Sequence, residues 1–245
     1  GTRSFPWRTF ILADKPSDLC AADIVSALAA GAQGRDFSWV KPGKVAWDWW
    51  NVFDNGAGCN TKTYRRFIDF AASNNVEYVI FDEGWSAHLD IWNDNKDVDV
   101  PNLIRYAREK GVGIILWMAW SQIIGDERKV AEHFSKLGAV GFKVDFMDRG
   151  DAAVVSQLEL FVQECAKRKM LVDYHGVYRP VGLHRKYPNL INYEGVHGLE
   201  QMKWHNNRYD IILNDIRICF LRMVVGPMDY TPGAMCNYAR GKYDS

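Results

Sequence analysis

Short, almost wholly apolar runs alternate with amphipathic helical runs along most of this chain, and nearly every apolar run ends in a polar or aromatic cluster. Strand signals fall at Lys44–Trp50, Glu77–Phe81, Gly113–Trp120, Ala139–Phe146, Met170–Tyr174, Leu190–Tyr193 and Met228–Tyr230. Between them lie helical stretches with one apolar face. The first is introduced by Asn60 or Thr61 and carries Tyr64, Phe67, Ile68 and Ala71. The next opens at Asp99 with Pro101 in its first turn and closes at Gly111. Others run near Glu127–Leu137 up to Gly138, over Asp151–Lys169 and over Asp210–Val225. Strands that are apolar on both faces belong to a parallel sheet covered by helices.

A parallel sheet of this kind is either an open doubly wound sheet or a closed barrel. No GxGxxG or P-loop follows the first strand, so a nucleotide-binding open sheet loses its usual signature. The clusters Asp48-Trp49-Trp50, Asp82-Glu83-Gly84-Trp85, Asp145, Tyr174-His175 and Glu194 all stand at carboxyl ends of strands, where a barrel gathers its site. The expected fold is therefore an α/β (β/α)8 TIM barrel. Seven strands are found, and an eighth with its helix needs about 30 further residues, so the barrel is expected to be truncated before its eighth strand. Residues 1–43, read as a strand at Trp7–Asp14 and a helix at Asp18–Ala30, are expected to connect into the barrel; residues 44–245 would form it.

Lys and Arg together number 30 and so do Asp and Glu, with no basic block; this removes the electrostatic footprint of a nucleic-acid binder. No apolar run approaches the roughly 20 residues needed to span a bilayer. The five cysteines show no CxxC spacing, so neither zinc nor a disulfide framework is indicated, and Cys165 and Cys219 fall on apolar helix faces as small buried hydrophobes. Trp47, Trp49, Trp50, Trp85, Trp117 and Trp120 cluster in or just after strands. They suit either sugar-ring faces or the core.

Cleaving a glycosidic bond takes two carboxyl groups, and the strand ends supply Asp48, Asp82, Glu83, Asp145, Asp173 and Glu194, with Glu200 following. Asp145 ends the run Gly141–Phe146, with Lys143 on the same face. It reads either as a carboxylate kept ionised for nucleophilic attack or as half of a structural ion pair. Glu194 and Glu200 flank a glycine-bearing loop. They are either two surface glutamates or carboxylates that converge and need a hard cation with oxygen ligands.

The runs Lys41–Asn51, Phe81–Trp85, Lys143–Arg149 and Asn192–Glu200, with Pro6–Asp14 before them, resemble in order and spacing those of glycoside hydrolase family 97. The resemblance covers essentially the whole chain. It implies a central barrel that full-length members flank with an N-terminal β-sandwich and a small C-terminal β domain, and a periplasmic location. In the family's retaining α-galactosidase branch it implies Asp145 as nucleophile, Glu200 as general acid/base, and Ca2+ bound through Glu194 and Glu200. The substrate would be an oligosaccharide or small α-glycoside. Asp82, Glu83 and Trp85, with Asp48, Trp49, Lys143 and His175, are the expected sugar-binding groups. Inverting α-glucosidases of the family place a glutamate base directly after the histidine of the fifth strand. Gly176 follows His175 here, which favours retention over that alternative; a carbohydrate-binding barrel without turnover stays open as the other reading.

Overall fold

The computed structural model describes residues 8–20, 23–49, 58–203 and 210–232. Trp7, Trp50 and Cys236 lie outside them. Six strands form one parallel sheet in the order β1 (Val45–Trp47), β2 (Tyr78–Phe81), β5 (Gly113–Ala119), β6 (Gly141–Asp145), β7 (Leu171–Tyr174) and β8 (Leu190–Tyr193). The antiparallel hairpin β3 (Ser86–Ala87) and β4 (Asp90–Asp94) interrupts the sequence order after β2. The helices α3 (Thr61–Ser73), α4 (Val100–Glu109), α5 (Glu127–Leu137) and α6 (Ala152–Ala166) connect successive strands of the sheet, followed by the short α7 (Leu183–Lys186) and, after β8, α8 (Ile211–Leu221). The result is a curled, truncated (β/α) barrel.

Local chemistry sets the helix ends. The side chains of Asn60, Asp99, Asp151 and Asp210 accept hydrogen bonds from backbone amides of the first turns of α3, α4, α6 and α8. Gly138 ends α5 in the left-handed conformation at φ 104°. Helix faces carrying Tyr64, Ile68, Leu103, Ile104, Phe134, Leu158 and Phe161 bury against one face of the sheet, which presents Val79, Phe81, Leu116, Met118, Phe142 and Val144. The alternation along each strand sends the intervening residues into the barrel interior. At one level of the register, Trp117 lies opposite Lys143, and Lys143 opposite Asp173. Two residues further along β6, on the same inward face, comes Asp145.

Three expectations change. Residues 8–14 form no strand, because Phe10 and Leu12 have no sheet edge to pair with and stand exposed. The single helix expected at Asp18–Ala30 is instead two five-residue helices, α1 (Pro16–Cys20) and α2 (Ile24–Leu28), the first of which packs on α8. Residues 228–230 form no strand either. Proline, which cannot donate to a ladder, brackets them at positions 227 and 232, and a single bond from the Asp229 amide to Tyr193 O (2.7 Å) ties them to β8. Cys165 is fully buried as expected, whereas Cys219 is half-buried because the outer side of α8 is open, with Ile212, Ile216 and Leu221 exposed.

Candidate active site

A cleft of about 840 Å³ opens at the carboxyl ends of the strands, where a barrel keeps its chemistry. Of the residues expected there, Asp145, Glu200, Trp49, Asp82, Glu83, Lys143, His175 and Glu194 all line it.

Asp145 ends β6 with its carboxylate gripped from two sides. The Phe146 amide donates to Oδ1 (2.8 Å), and Trp117 Nε1 donates to Oδ2 (3.2 Å). Phe146 takes a left-handed φ of 64°, rare for a bulky residue and the kind of local strain that clusters at functional sites. From the adjacent β7 end, Gly176 closes over Asp145 at φ 51°. A Cβ there would stand 2.9 Å from Asp145 Oδ1 and 2.9 Å from the Phe146 nitrogen.

Lys143 was expected to hold Asp145, but its ammonium bonds Asp82 instead, with Nζ 2.7 Å from Oδ2. Burial works against that ammonium, yet Asp82 and then Asp145 outweigh it and keep its pKa above the ordinary lysine value. Lys143 also lies 4.7 Å from the centre of the Trp47 ring, whose Nε1 donates to the same Asp82 oxygen (2.6 Å). Asp82 Oδ1 accepts the Glu83 amide (2.8 Å), so three donors, one of them the Lys143 ammonium, hold this buried carboxylate.

Two expected sugar-binding residues do not reach the cleft. Trp85 is 1% exposed; Gly84, at φ 113°, turns the chain so that the indole packs edge-on against Phe134 and donates from Nε1 to Trp117 O (2.7 Å). Asp48 is also 1% exposed, because alternation along the chain sends Trp47 inward and Asp48 to the other side. Its Oδ1 accepts the Asp82 amide (3.1 Å), so it supports the wall from behind.

Burial, with the Asp82 charge adding to it, pushes Asp48 up to about 7. A folded-state pKa above the ordinary carboxylate value of 3.8 means that ionisation opposes folding. Stability is therefore full below that value and falls as pH rises through about 7. Asp48→Asn is expected to raise stability at pH 8, by a few kcal/mol at most (~4), and the gain should shrink to less than half at pH 5, because that pH lies only a little above the ordinary carboxylate value. An equal difference at both pH values in thermal unfolding of the full-length protein would contradict the assignment.

His175 and Glu194 form the opposite wall. Glu194 Oε2 accepts the Gly176 amide (2.8 Å), and Oε1 lies 3.4 Å from Thr231 Oγ1 and 3.7 Å from His175 Nδ1. Burial foremost lifts Glu194 to about 7; His175 and the Gly176 amide pull it down, and the charges of Asp145 and Glu200 push it up. Glu200 completes the wall, its Oε2 accepting a bond from Trp49 Nε1 (3.1 Å).

Sequence reasoning missed Asp229, Arg222 and Thr231, which reach this wall from α8 and the segment after it. Arg222 is buried and donates to Glu194 O through Nε (3.2 Å) and Nη2 (3.0 Å), and to Tyr193 O (3.1 Å) and Gly226 O (3.2 Å). Arg222→Ala would leave the Glu194 and Gly226 carbonyls without this donor, while Tyr193 O keeps the Asp229 amide, and is expected to cost about 3 kcal/mol, read as a lower urea midpoint; Arg222→Lys, without the fork, should recover less than half. A midpoint unchanged in Arg222→Ala would contradict this role.

The compact group of possible metal donors among the described residues is Asp173, His175 and Asp229. It suits an ion pair better than a metal. Burial disfavours the imidazolium, but Asp173 outweighs it and raises His175 well above its ordinary value, and the bond from His175 holds Asp229 below the carboxylate range despite burial. Glu194 and Glu200 have the all-oxygen chemistry that calcium takes, but two carboxylates supply at most four of its six to eight oxygens. They fit as part of a calcium site.

The model of the family described as glycoside hydrolase 97 matches residues 43–196. The chain is 46% identical, over 98% of its length, to a retaining alpha-galactosidase of Bacteroides thetaiotaomicron. It is 31% identical, over 96%, to a probable retaining alpha-galactosidase of Streptomyces bingchenggensis. It spans 38% and 37% of those two proteins. Among solved structures it resembles a family 97 enzyme in complex with acarbose from a Pseudoalteromonas strain, with a TM-score of 0.77 and 26% identity over 90% of this chain and 39% of that one. The order of the strands, the cleft at their carboxyl ends and these matches lead to one family: the chain belongs to glycoside hydrolase family 97.

Proposed function

We propose that the full-length protein is a retaining glycoside hydrolase that cleaves terminal α-galactosides by double displacement, with Asp145 as nucleophile and Glu200 as general acid/base. The observation that carries this reading is Gly176. A base on the residue after His175 is excluded sterically as well as chemically, because any Cβ there would run into Asp145 Oδ1 and the Phe146 amide. The carboxylate left in position is Asp145, held at the mouth of β6 by two donors. Similarity to the two retaining α-galactosidases supports the same stereochemistry and substrate class.

In the first step Asp145 attacks the anomeric carbon while Glu200 gives its proton to the leaving oxygen, so that the glycosidic bond breaks as a glycosyl ester forms. In the second, Glu200 takes a proton from water, whose oxygen displaces Asp145 from the sugar. Trp49 donates to the Glu200 carboxylate and orients it, while Asp82, locked by Lys143 and Trp47, presents a fixed charge pair to sugar hydroxyls. Calcium bound through Glu194 and Glu200 would neutralise and orient the carboxylates of that wall.

Turnover by the full-length protein on aryl α-galactoside and aryl α-glucoside, with and without a chelator, tests the reading. Galactoside turnover exceeding glucoside turnover and falling on chelation is expected. A glucoside preference favours the inverting branch, and indifference to the chelator removes calcium.

A further inference from the structure

Asp229 lies outside the cleft, yet it makes the shortest contact of any side chain with His175, which lines it: Asp229 Oδ2 is 2.7 Å from His175 Nε2. The geometry points to Asp229 as a positioning residue of this active site, acting through the His175 ring. The inference rests on the glycosidase reading of the cleft.

The segment that carries Asp229 is built to hold it still. Its own amide donates to Tyr193 O (2.7 Å), which fixes it to the carboxyl end of β8. Upstream, Arg222 binds the Tyr193 and Glu194 carbonyls; downstream, Thr231 Oγ1 reaches Glu194 Oε1. Prolines 227 and 232 stiffen the stretch between. Residues 222–231 thus form a strap across the ends of β7 and β8.

What the strap controls is the plane of one ring. A carboxylate only accepts hydrogen bonds, so Nε2 donates to Asp229. Asp173 Oδ2, at 3.4 Å from the same nitrogen, is too long to replace that bond at full strength. With Nε2 anchored, the other ring nitrogen is aimed at Glu194, Nδ1 standing 3.7 Å from Oε1. Without Asp229 no acceptor holds Nε2 at full strength, and the ring is free to turn Nδ1 from Glu194 and the cleft. The separation of 54 positions in sequence between the two residues explains why no local motif signals the contact.

A double-mutant cycle in the full-length protein tests this. Asp229→Ala is expected to lower kcat/KM on an aryl α-galactoside by about 10–100-fold. Asp229→Asn, whose amide oxygen still accepts from Nε2, should lose less than about 10-fold. In the His175→Ala background both changes should fall below about 2-fold, because the partner through which Asp229 acts is gone. Losses that multiply independently of His175 would overturn the proposal and leave Asp229 a purely structural residue. If Asp229→Ala does not fold, Asp229→Asn carries the same cycle at smaller amplitude. A nitrogen-15 histidine spectrum reads the contact without turnover. The downfield Nε2 proton of His175 should disappear in Asp229→Ala and persist in Asp229→Asn. Its survival in Asp229→Ala overturns the proposal even if the wild type proves inactive on galactosides, an outcome that by itself would count only against the glycosidase reading. Zinc binding that is lost in Asp229→Asn would overturn it as well, since Nε2 would then be a metal ligand and not a donor.

Discussion

Asp145→Asn is expected to lower kcat/KM of the full-length protein on an aryl α-galactoside by about 10⁴-fold or more, because the covalent step loses its nucleophile while the binding wall stays intact. The substitution keeps the shape of the side chain. Its amide oxygen still accepts the Phe146 N–H that now binds Oδ1, so loss of activity without loss of fold is the expected pattern. In Asp145→Ala, whose shortened side chain leaves room beside the anomeric carbon, azide should restore turnover and yield the β-galactosyl azide, the product of one inversion in place of two. Residual activity near that of the wild type, or rescue giving the α-azide, would remove Asp145 from this role.

The second large effect comes from a residue with no side chain. Gly176→Ala places a methyl group 2.9 Å from both Asp145 Oδ1 and the Phe146 amide, in a backbone conformation that disfavours L-residues anyway. Something must move, and the closest groups are the carboxylate and the donor that orients it. Displacement of a reacting group by a fraction of an ångström to one ångström is worth about 10²-fold in kcat, and that loss is expected here. Gly111→Ala is the control. Gly111 has a comparable φ of 75°, but a Cβ there meets nothing within 4 Å. It should lower stability by about 1 kcal/mol and leave kcat alone. Equal kcat losses in the two variants would show that the effect at Gly176 is backbone strain and not crowding of Asp145.

Much of the site was legible because a barrel makes it so. Each parallel strand delivers its last residues to the same end, so an acidic or aromatic residue at the close of an apolar run can be assigned to the cleft without knowing the angles between elements. Asp145, His175 and Glu194 follow that rule. The failures mark where the rule stops. Which side of the strand end a residue takes depends on backbone conformation in the next one or two positions. The positive φ at Gly84 diverts Trp85 into the core, and alternation after Trp47 puts Asp48 behind the wall.

Pairings across the barrel were illegible for a different reason. Lys143 has Asp145 as its neighbour in sequence on the same face, yet it bonds Asp82 on another strand, because curling of the sheet brings β2 and β6 toward each other inside. Asp229 lies in a segment with a strand-like pattern, and its role is visible only once the chain has crossed back over β8. The hairpin β3–β4 left a weak trace, since it spans two and five residues and its strands are polar and largely exposed.

The central claim is retention, and the anomeric form of the first sugar released decides it most directly. Proton NMR of the full-length protein acting on an aryl α-galactoside, recorded before mutarotation, should show the α-anomer of galactose appearing first and the β-anomer growing only with spontaneous equilibration. Appearance of the β-anomer first would mean a single displacement, and would contradict both the role given to Asp145 and the significance given to Gly176.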